Sequence, residues 1–168
     1  MKRMITFALT ALLALALLAG CSSDPADGGS GGGETAAVDL TAFFDELDTK
    51  YAWGADYFAD IDDEGMEATY PGLKDYETKQ LLVKVPQMSA VVNEYVFAEL
   101  NSPEDAAAAA DILRQRVKEQ SEGGAWYPES MEAWEKAKVS VHGNYVALIA
   151  GGEDQADIEA AWDQLFQK

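Results

Sequence analysis

The only cysteine of the chain, Cys21, directly follows the residues Leu18-Ala19-Gly20. Small residues at the two positions before a cysteine let an extended segment enter a signal peptidase, and the thiol can then accept a diacylglyceryl group. Upstream lie a basic pair and an apolar run from Ile5 to Leu18. As a helix this run rises about 21 Å, which is short of the roughly 30 Å hydrocarbon core of a bilayer. The pattern predicts a signal peptide over residues 1–20 and lipid attachment at Cys21.

Hydrolytic chemistry has little support in the sequence. Gly28-Gly29-Ser30-Gly31-Gly32 matches the nucleophile elbow of hydrolases, but that motif needs a strand before it and a helix after it, and here it lies in a low-complexity stretch. The only histidine, His142, lies beside a predicted hairpin turn, where a structural role is favoured. Paired carboxylates could serve glycosidase chemistry, but 30 acidic residues allow no pair to be singled out. We therefore expect a protein that is not an enzyme.

An acidic motif, Asp60-x-Asp62-x-Glu64-Gly65, copies the first half of an EF-hand calcium loop. The bidentate acid that such a loop needs at position 12 falls on Pro71, which has no carboxylate. A looser divalent-cation cluster that also uses Asp56, Asp63 and Glu67 is the alternative. A clustered acidic run is more often a solvated loop, so no metal ligand and no cofactor is predicted.

Aromatic residues form two groups in the sequence. Five of them crowd the segment after the first predicted helix and a pair precedes Pro128: Tyr51, Trp53, Tyr57, Phe58, Tyr70 and Trp126-Tyr127. Exposed rings can stack on sugars or grip a partner protein, but rings can equally pin long loops onto a core, which we favour. If they form a binding face, Trp53 and Trp126 must be exposed and close together, and we expect at least one to be a loop anchor. Trp134 and Trp162 belong to apolar helix stripes and are predicted to be core.

The charge of the chain limits its partners. The formal net charge is −18, and cleavage of the signal peptide removes Lys2 and Arg3, which leaves −20. Nucleic acids bind through Lys and Arg that neutralise phosphates, so this protein would repel them. Anionic headgroups are disfavoured for the same reason, and the lipid on Cys21 must supply the affinity for the membrane.

The elements that must position these residues begin with a tether. Residues 21–37 are rich in Gly, Ser, Asp and Ala, and such a stretch behaves as a flexible coil with a reach of roughly 20 Å. The sequence therefore divides into a signal peptide at 1–20, a lipidated flexible linker at 21–37 and a globular domain at 38–168.

Apolar periodicity predicts an α+β fold for the globular domain. Asp39 and Ser102 are candidate helix N-caps, Pro103 suits the first helical position, and Gly143-Asn144 suits a two-residue hairpin loop. The predicted elements are a helix at 39–51, an irregular stretch at 52–78, strands at 81–86 and 91–100, a helix at 102–123, a short helix at 129–137, strands at 138–142 and 145–150, and a last helix capped by Asp154. This order predicts a single domain with a four-stranded, largely antiparallel sheet and helices packed on one face.

The chain also resembles a known family. The acidic lipoprotein layout, a strand pair followed by a capped helix, the segment Trp126-Tyr127-Pro128 and the hairpin Gly143-Asn144-Tyr145-Val146 resemble the family named domain of unknown function 4358. The resemblance extends from Tyr70 to Ala150. It implies a small cell-surface lipoprotein of Gram-positive bacteria with no assigned activity, and it transfers no catalytic residue. The Gly-rich tether and the Ala-rich stretch at 106–110 depart from the family pattern.

Together these features predict a surface-tethered, non-catalytic interaction module on the outer face of the cytoplasmic membrane. A partner protein is favoured as its ligand. The alternatives are a domain that binds a cell-wall glycan or a divalent cation and, less favoured, a wall-associated hydrolase.

Overall fold

A computed structural model describes residues 37–167 of the chain. The predicted signal peptide, the lipid site Cys21 and the linker up to residue 36 lie outside the described residues. Within residues 37–167, no helix combines the length and the apolar character needed to cross a bilayer.

Residues 37–167 form five α-helices and five strands in mixed order. The helices are α1 (Leu40–Tyr51), α2 (Asp63–Thr69), α3 (Pro103–Glu119), α4 (Pro128–Glu135) and α5 (Gln155–Gln164). The strands are β1 (Phe58–Ala59), β2 (Thr78–Pro86), β3 (Glu94–Leu100), β4 (Lys138–His142) and β5 (Tyr145–Ala150). The mixed α and β composition agrees with the predicted class.

The strands form one open sheet in the order β1-β2-β3-β5-β4, and every neighbouring pair is antiparallel. The predicted four strands correspond to β2 to β5. The fifth, β1, pairs only Phe58 with Pro86 and Ala59 with Val85. Two residues are too few to show the alternation by which a strand is recognised in a sequence, so the predicted count was one too low.

Helices cover both faces of the sheet, so the prediction of helices on one face was wrong. On one face, Tyr95 and Phe97 of β3 pack with α1 and α5; we call this the aromatic face. On the other, Val96 and Ala98 of β3 pack with α2, α3 and α4; we call this the aliphatic face. Every residue of β3 and of β5 is buried. Strands that are apolar at both odd and even positions need a cover on both sides.

Local signals begin α1 and α3 and turn the β4–β5 hairpin where the sequence predicted, but α3 ends at Glu119 and not at residue 123, because Gln120–Gly124 continue as a π-turn, and β3 begins at Glu94 and not at residue 91. The Asp39 carboxylate accepts a hydrogen bond from Ala42 N at 2.9 Å and caps α1. Ser102 Oγ accepts from Asp105 N at 3.0 Å, and Pro103 occupies the first turn of α3. Gly143, at φ 59°, makes the tight turn between β4 and β5. The stretch predicted to be irregular, 52–78, instead contains β1 and α2.

Candidate functional site

Two adjacent aromatic side chains stand in solvent at the start of α4. Trp126 is 89% exposed and Tyr127 is 53% exposed. Large aromatic side chains are usually at least partly buried, because their rings supply much of the apolar surface of a core. We call residues 125–128 the Trp126 corner.

A turn after α3 positions the backbone from which Trp126 and Tyr127 project. Residues Gln120–Gly124 form a π-turn, in which Ala125 N donates to Gln120 O at 3.1 Å. Gly123 has φ 128°, a conformation that side chains disfavour. A Cβ on Gly124 would lie 2.6 Å from Gln120 Nε2 and 2.8 Å from Glu119 O. The turn therefore depends on both glycines, and it ends by burying Ala125 immediately before Trp126.

The other side of the corner is held by α4. Pro128 occupies the first turn of this helix. Ser130 is buried, and its hydroxyl donates to Ala90 O at 3.2 Å in the segment before β3. Trp134, one turn further, is buried in the cluster of the aliphatic face. Trp126 is thus displayed from a support that is packed on both sides.

A cleft of about 600 Å³ begins beside the corner. It lies between α4, the segment of residues 90–93 and the turn after β5, and the first α4 residue that lines it follows Tyr127 by two positions. Its ionisable lining consists of four acids and one base: Glu129, Glu132, Glu153, Asp154 and Lys136. Within residues 37–167, none of these five side chains takes part in an ion pair. The cleft is therefore acidic.

Trp53 differs from Trp126. It is half-buried on the aromatic face, where its ring stacks on Tyr51 at 5.1 Å and on Phe44 at 5.7 Å between centroids and meets Tyr95 at 5.3 Å. The expectation that at least one of the two tryptophans anchors a loop is confirmed by Trp53. Trp53 and Phe58 pack on the aromatic face, whereas Ala125, next to Trp126, packs on the aliphatic face, so Trp53 and Trp126 do not form one binding face. Tyr70, the last member of the first aromatic group, is buried on the aliphatic face.

Trp134 and Trp162 lie in the core as predicted. Trp134 is 4% exposed, and Trp162 is fully buried. They belong to different clusters, Trp134 to the aliphatic face and Trp162 to the aromatic face.

The single histidine has a structural environment. His142 Nε2 lies 2.9 Å from Asp163 Oδ1 and 3.3 Å from Ser140 Oγ, and the ring stacks on Phe166 at 4.4 Å. A catalytic triad places the acid and the nucleophile at different ring nitrogens, so that the acid orients the ring while the other nitrogen takes the proton. Here both partners meet the same nitrogen. The arrangement joins the β4–β5 hairpin to the end of α5.

The acidic motif forms the start of a helix instead of a loop. Asp62 Oδ1 accepts from Gly65 N at 2.8 Å and caps α2, and Asp63 pairs with Lys74 at 2.5 Å. In the part of the chain that the structure describes, no three His, Cys, Asp or Glu side chains are grouped so that they could hold a metal ion.

A buried polar network connects the support of the corner to the sheet. Arg116 of α3 binds both carboxylate oxygens of Glu94, at 2.9 and 2.8 Å, and Tyr70 donates to the same carboxylate at 2.7 Å. Glu94 is 3% exposed. Burial and the neighbouring Glu94 raise the pKa of the Tyr70 hydroxyl well above its ordinary value. Burial lowers the pKa of Arg116, but the hydrogen bond and charge of Glu94, with smaller contributions from Tyr70 and Glu119, together raise it above its ordinary value, so the guanidinium stays charged.

The guanidinium of Arg116 also lies over the Trp134 ring, 5.4 Å from its centroid. The network thereby fixes the end of α3 and the middle of α4, the two elements between which the corner is held. Sequence analysis missed it, although Glu94 was visible as a charge at the head of an apolar strand. Its partner could not be identified because Arg116 lies 22 residues away along the chain.

Comparisons with known proteins give one match. A family model described as "Domain of unknown function (DUF4358)" matches residues 56–151, more than half of the chain. The matched range contains all five strands, the Glu94–Arg116 pair and the Trp126 corner. No curated protein and no solved structure matches the chain.

Proposed function

The chain belongs to the DUF4358 family, and from its own geometry we propose that it is a surface-tethered, non-catalytic interaction module that binds a partner protein through the Trp126 corner. The observation that carries the proposal is the exposure of Trp126 between two buried neighbours, Ala125 and Ser130, the second of which is hydrogen-bonded to Ala90.

Energetics favour a binding role for this ring. An exposed tryptophan contributes little to the core, whereas burial of the same ring against a partner removes much apolar surface from water. Tryptophan and tyrosine are enriched among the residues that dominate binding energies. Because the π-turn and α4 hold the corner in place, little conformational entropy is lost on binding. Trp126 and Tyr127 therefore have the character of a preorganised anchor pair.

The position of Val38, the residue at which the predicted globular domain begins, supports a partner that approaches from outside the membrane. Val38 donates its N–H to Tyr145 Oη at 3.1 Å and accepts at its carbonyl from Gln80 Nε2 at 2.8 Å. Gln80 and Tyr145 both pair with Glu99, near the end of β3, whereas the cleft lies beside the start of β3 at Glu94. These two positions on β3 are separated by about 17 Å. Val38 thus lies toward the end of β3 that is away from the cleft.

Two aspects of the proposal come from the sequence. The lipid on Cys21 would keep the domain at the outer face of the membrane, and the acidic surface would keep it away from anionic headgroups. The absence of catalysis is supported by His142, whose contacts with Asp163 and Ser140 are made through one nitrogen.

The test is capture by the full chain in intact cells, compared between Trp126→Ala and the matched control Trp53→Ala. We expect Trp126→Ala to lose capture of a crosslinked partner and to keep its unfolding midpoint. Trp53→Ala should lower the midpoint, because its ring is packed, and leave capture per folded molecule unchanged. Cys21→Ala should release the protein from the membrane fraction. Unchanged capture by Trp126→Ala would refute the binding role, and retention of Cys21→Ala on membranes would refute the anchor.

A further inference from the structure

Resting on the proposed function, we infer that the partner segment at the Trp126 corner and the adjoining cleft is cationic and carries arginine or lysine side chains. Three properties of the surface support this inference: its charge, its aromatic rings and its extent.

The charge of the cleft is the first argument. Four carboxylates and one ammonium group line it, and none of them has an ion-pair partner within residues 37–167. Elsewhere in the described chain, acidic groups do pair with bases, as in Lys138–Glu159 at 3.1 Å and Arg114–Asp111 at 2.6 Å. A cationic segment would relieve the repulsion among the cleft carboxylates, and an acidic segment would increase it.

The two exposed rings that immediately precede α4 are the second argument. A guanidinium or ammonium group over a tryptophan face is attracted by the ring quadrupole, and tryptophan is the best aromatic residue for this contact. The fold already contains such a contact, since Arg116 lies over Trp134. Trp126 precedes Glu129, the first carboxylate of the cleft, by three residues in the chain, so a cationic segment that stacks one side chain on the ring can place its next basic side chain at the cleft carboxylates.

The extent of the surface is the third argument. The cleft-lining stretch of α4 and its C-cap runs from Glu129 to Lys136 and is about 10 Å long. This length offers room for about three residues of extended chain. This is more than a single small cation fills. A bare divalent ion is also disfavoured, because no three acidic side chains in the described residues are grouped to bind one.

The test measures binding of short fluorescent peptides to the full lipidated chain in micelles with neutral headgroups. One peptide alternates arginine with glycine, the second has citrulline in place of arginine, and the third has glutamate there. We expect the arginine peptide to bind, the other two to fail, and the affinity to fall as salt is raised. Trp126→Ala should weaken binding about tenfold.

Matched charge variants separate the cleft from the overall acidity of the chain. Glu129→Gln/Glu132→Gln should weaken binding of the arginine peptide several-fold. Asp45→Asn/Glu46→Gln removes the same charge from the exposed side of α1 and should change the affinity less than twofold. Equal effects of the two pairs, or equal binding of the citrulline peptide, would overturn the inference.

Two further outcomes are decisive. A soluble wall glycan fragment that binds in a Trp126-dependent manner, while the arginine peptide does not, would overturn the inference in favour of a sugar ligand. If Trp126→Ala abolishes capture in cells but no peptide binds, the cationic partner is refuted while the proposed function stands. If capture in cells is unaffected, the proposed function itself fails.

Discussion

The two faces of the sheet are covered by different kinds of side chain, and strand β3 contributes buried residues to both faces. On β3, Tyr95 and Phe97 point to the aromatic face, and Val96 and Ala98 point to the aliphatic face. Each face also contains one buried glutamate of β3. Glu94, at the start of the strand, lies on the aliphatic face, and Glu99, near its end, lies on the aromatic face. The aromatic face contributes to stability, whereas the aliphatic face also supports the Trp126 corner and its cleft.

The aromatic face is filled by interlocking rings. Phe97 stacks on Trp162 at 5.3 Å and meets Phe43 edge-on at 5.2 Å, and Trp162 meets Phe166 at 5.1 Å. Two buried polar atoms on this side, Tyr51 Oη and Trp162 Nε1, have no hydrogen-bond partner in the described structure. An unpaired buried donor costs free energy, so apolar packing must outweigh that cost here.

The aliphatic face is filled by small side chains and a polar network. Ala106, Ala109 and Ala110 of α3 are fully buried, which lets this helix lie close against the sheet. The same face contains the bidentate Arg116–Glu94 pair. Polar contacts with defined geometry fix orientation more strictly than rings do. The corner and its cleft are built on this side.

The largest effect on stability is expected from a substitution in the core of the aromatic face. Trp162→Ala removes a fully buried ring and should lower the free energy of unfolding by about 4 kcal/mol. Chemical denaturation of residues 38–168 measures it. Trp162→Phe is the control, because it keeps a ring and removes the unpaired Nε1, and it should cost clearly less. A loss below about 0.5 kcal/mol for Trp162→Ala would mean that α5 does not pack on the sheet as described.

The second largest effect on stability is expected from a substitution in the polar network of the aliphatic face. Arg116→Met leaves Glu94 buried without a cation and should cost about 3 kcal/mol. Adding Glu94→Gln to this variant removes the buried charge, so the double variant should regain part of the loss. Because Arg116 lies over Trp134, the Arg116→Met variant should also weaken capture at the corner. Equal stability of the single and double variants would show that the pair does not hold the two elements together.

Much of this fold could be predicted from the sequence, because its elements are marked by local signals. The caps at Asp39 and Ser102, the Pro103 start of α3 and the Gly143-Asn144 turn depend on neighbours within a few residues. The apolar runs of β3 and β5 identified strands for the same reason. The last helix begins beside Asp154 as predicted, although the Asp154 side chain makes no capping hydrogen bond.

What could not be predicted depends on contacts between distant residues. Which helix covers which face of the sheet is decided by packing between residues far apart in the chain. The apolar runs of β3 and β5, which lack alternation, indicate only that both faces are covered. Trp53 and Trp126 look alike in the sequence, with aromatic neighbours and a nearby glycine or proline. Only the fold places one ring between Tyr51 and Tyr95 and leaves the other in solvent. The cleft likewise joins segments around residues 90, 130 and 152.

The smallest expected effect concerns Glu99, the buried glutamate of the aromatic face. It accepts hydrogen bonds from Lys79 at 3.1 Å and from Gln80 at 2.8 Å, and Gln80 in turn holds Val38. Burial raises the pKa of Glu99, but the hydrogen bonds from Gln80 and Lys79 and the charge of Lys79, with a smaller contribution from Tyr145, together lower it by more, so the pKa lies below its ordinary value of 4.5. The charged form is therefore favoured by folding.

A carboxyl group with a lowered pKa in the folded state stabilises the protein above its unfolded pKa, and this stabilisation is lost as pH falls through the folded pKa. The difference in unfolding free energy between the natural chain and Glu99→Gln should thus be constant near neutral pH and should shrink once the pH falls below about 4.5. Asp45→Asn, an exposed acid on α1, serves as the control for general protonation of this acidic chain, and its difference should change little over the same range. If the Glu99→Gln difference stays constant down to acid unfolding, the hydrogen bonds at Glu99 do not favour its charged form. The attachment of Val38 to the sheet would then depend on Gln80 and Tyr145 without help from that charge.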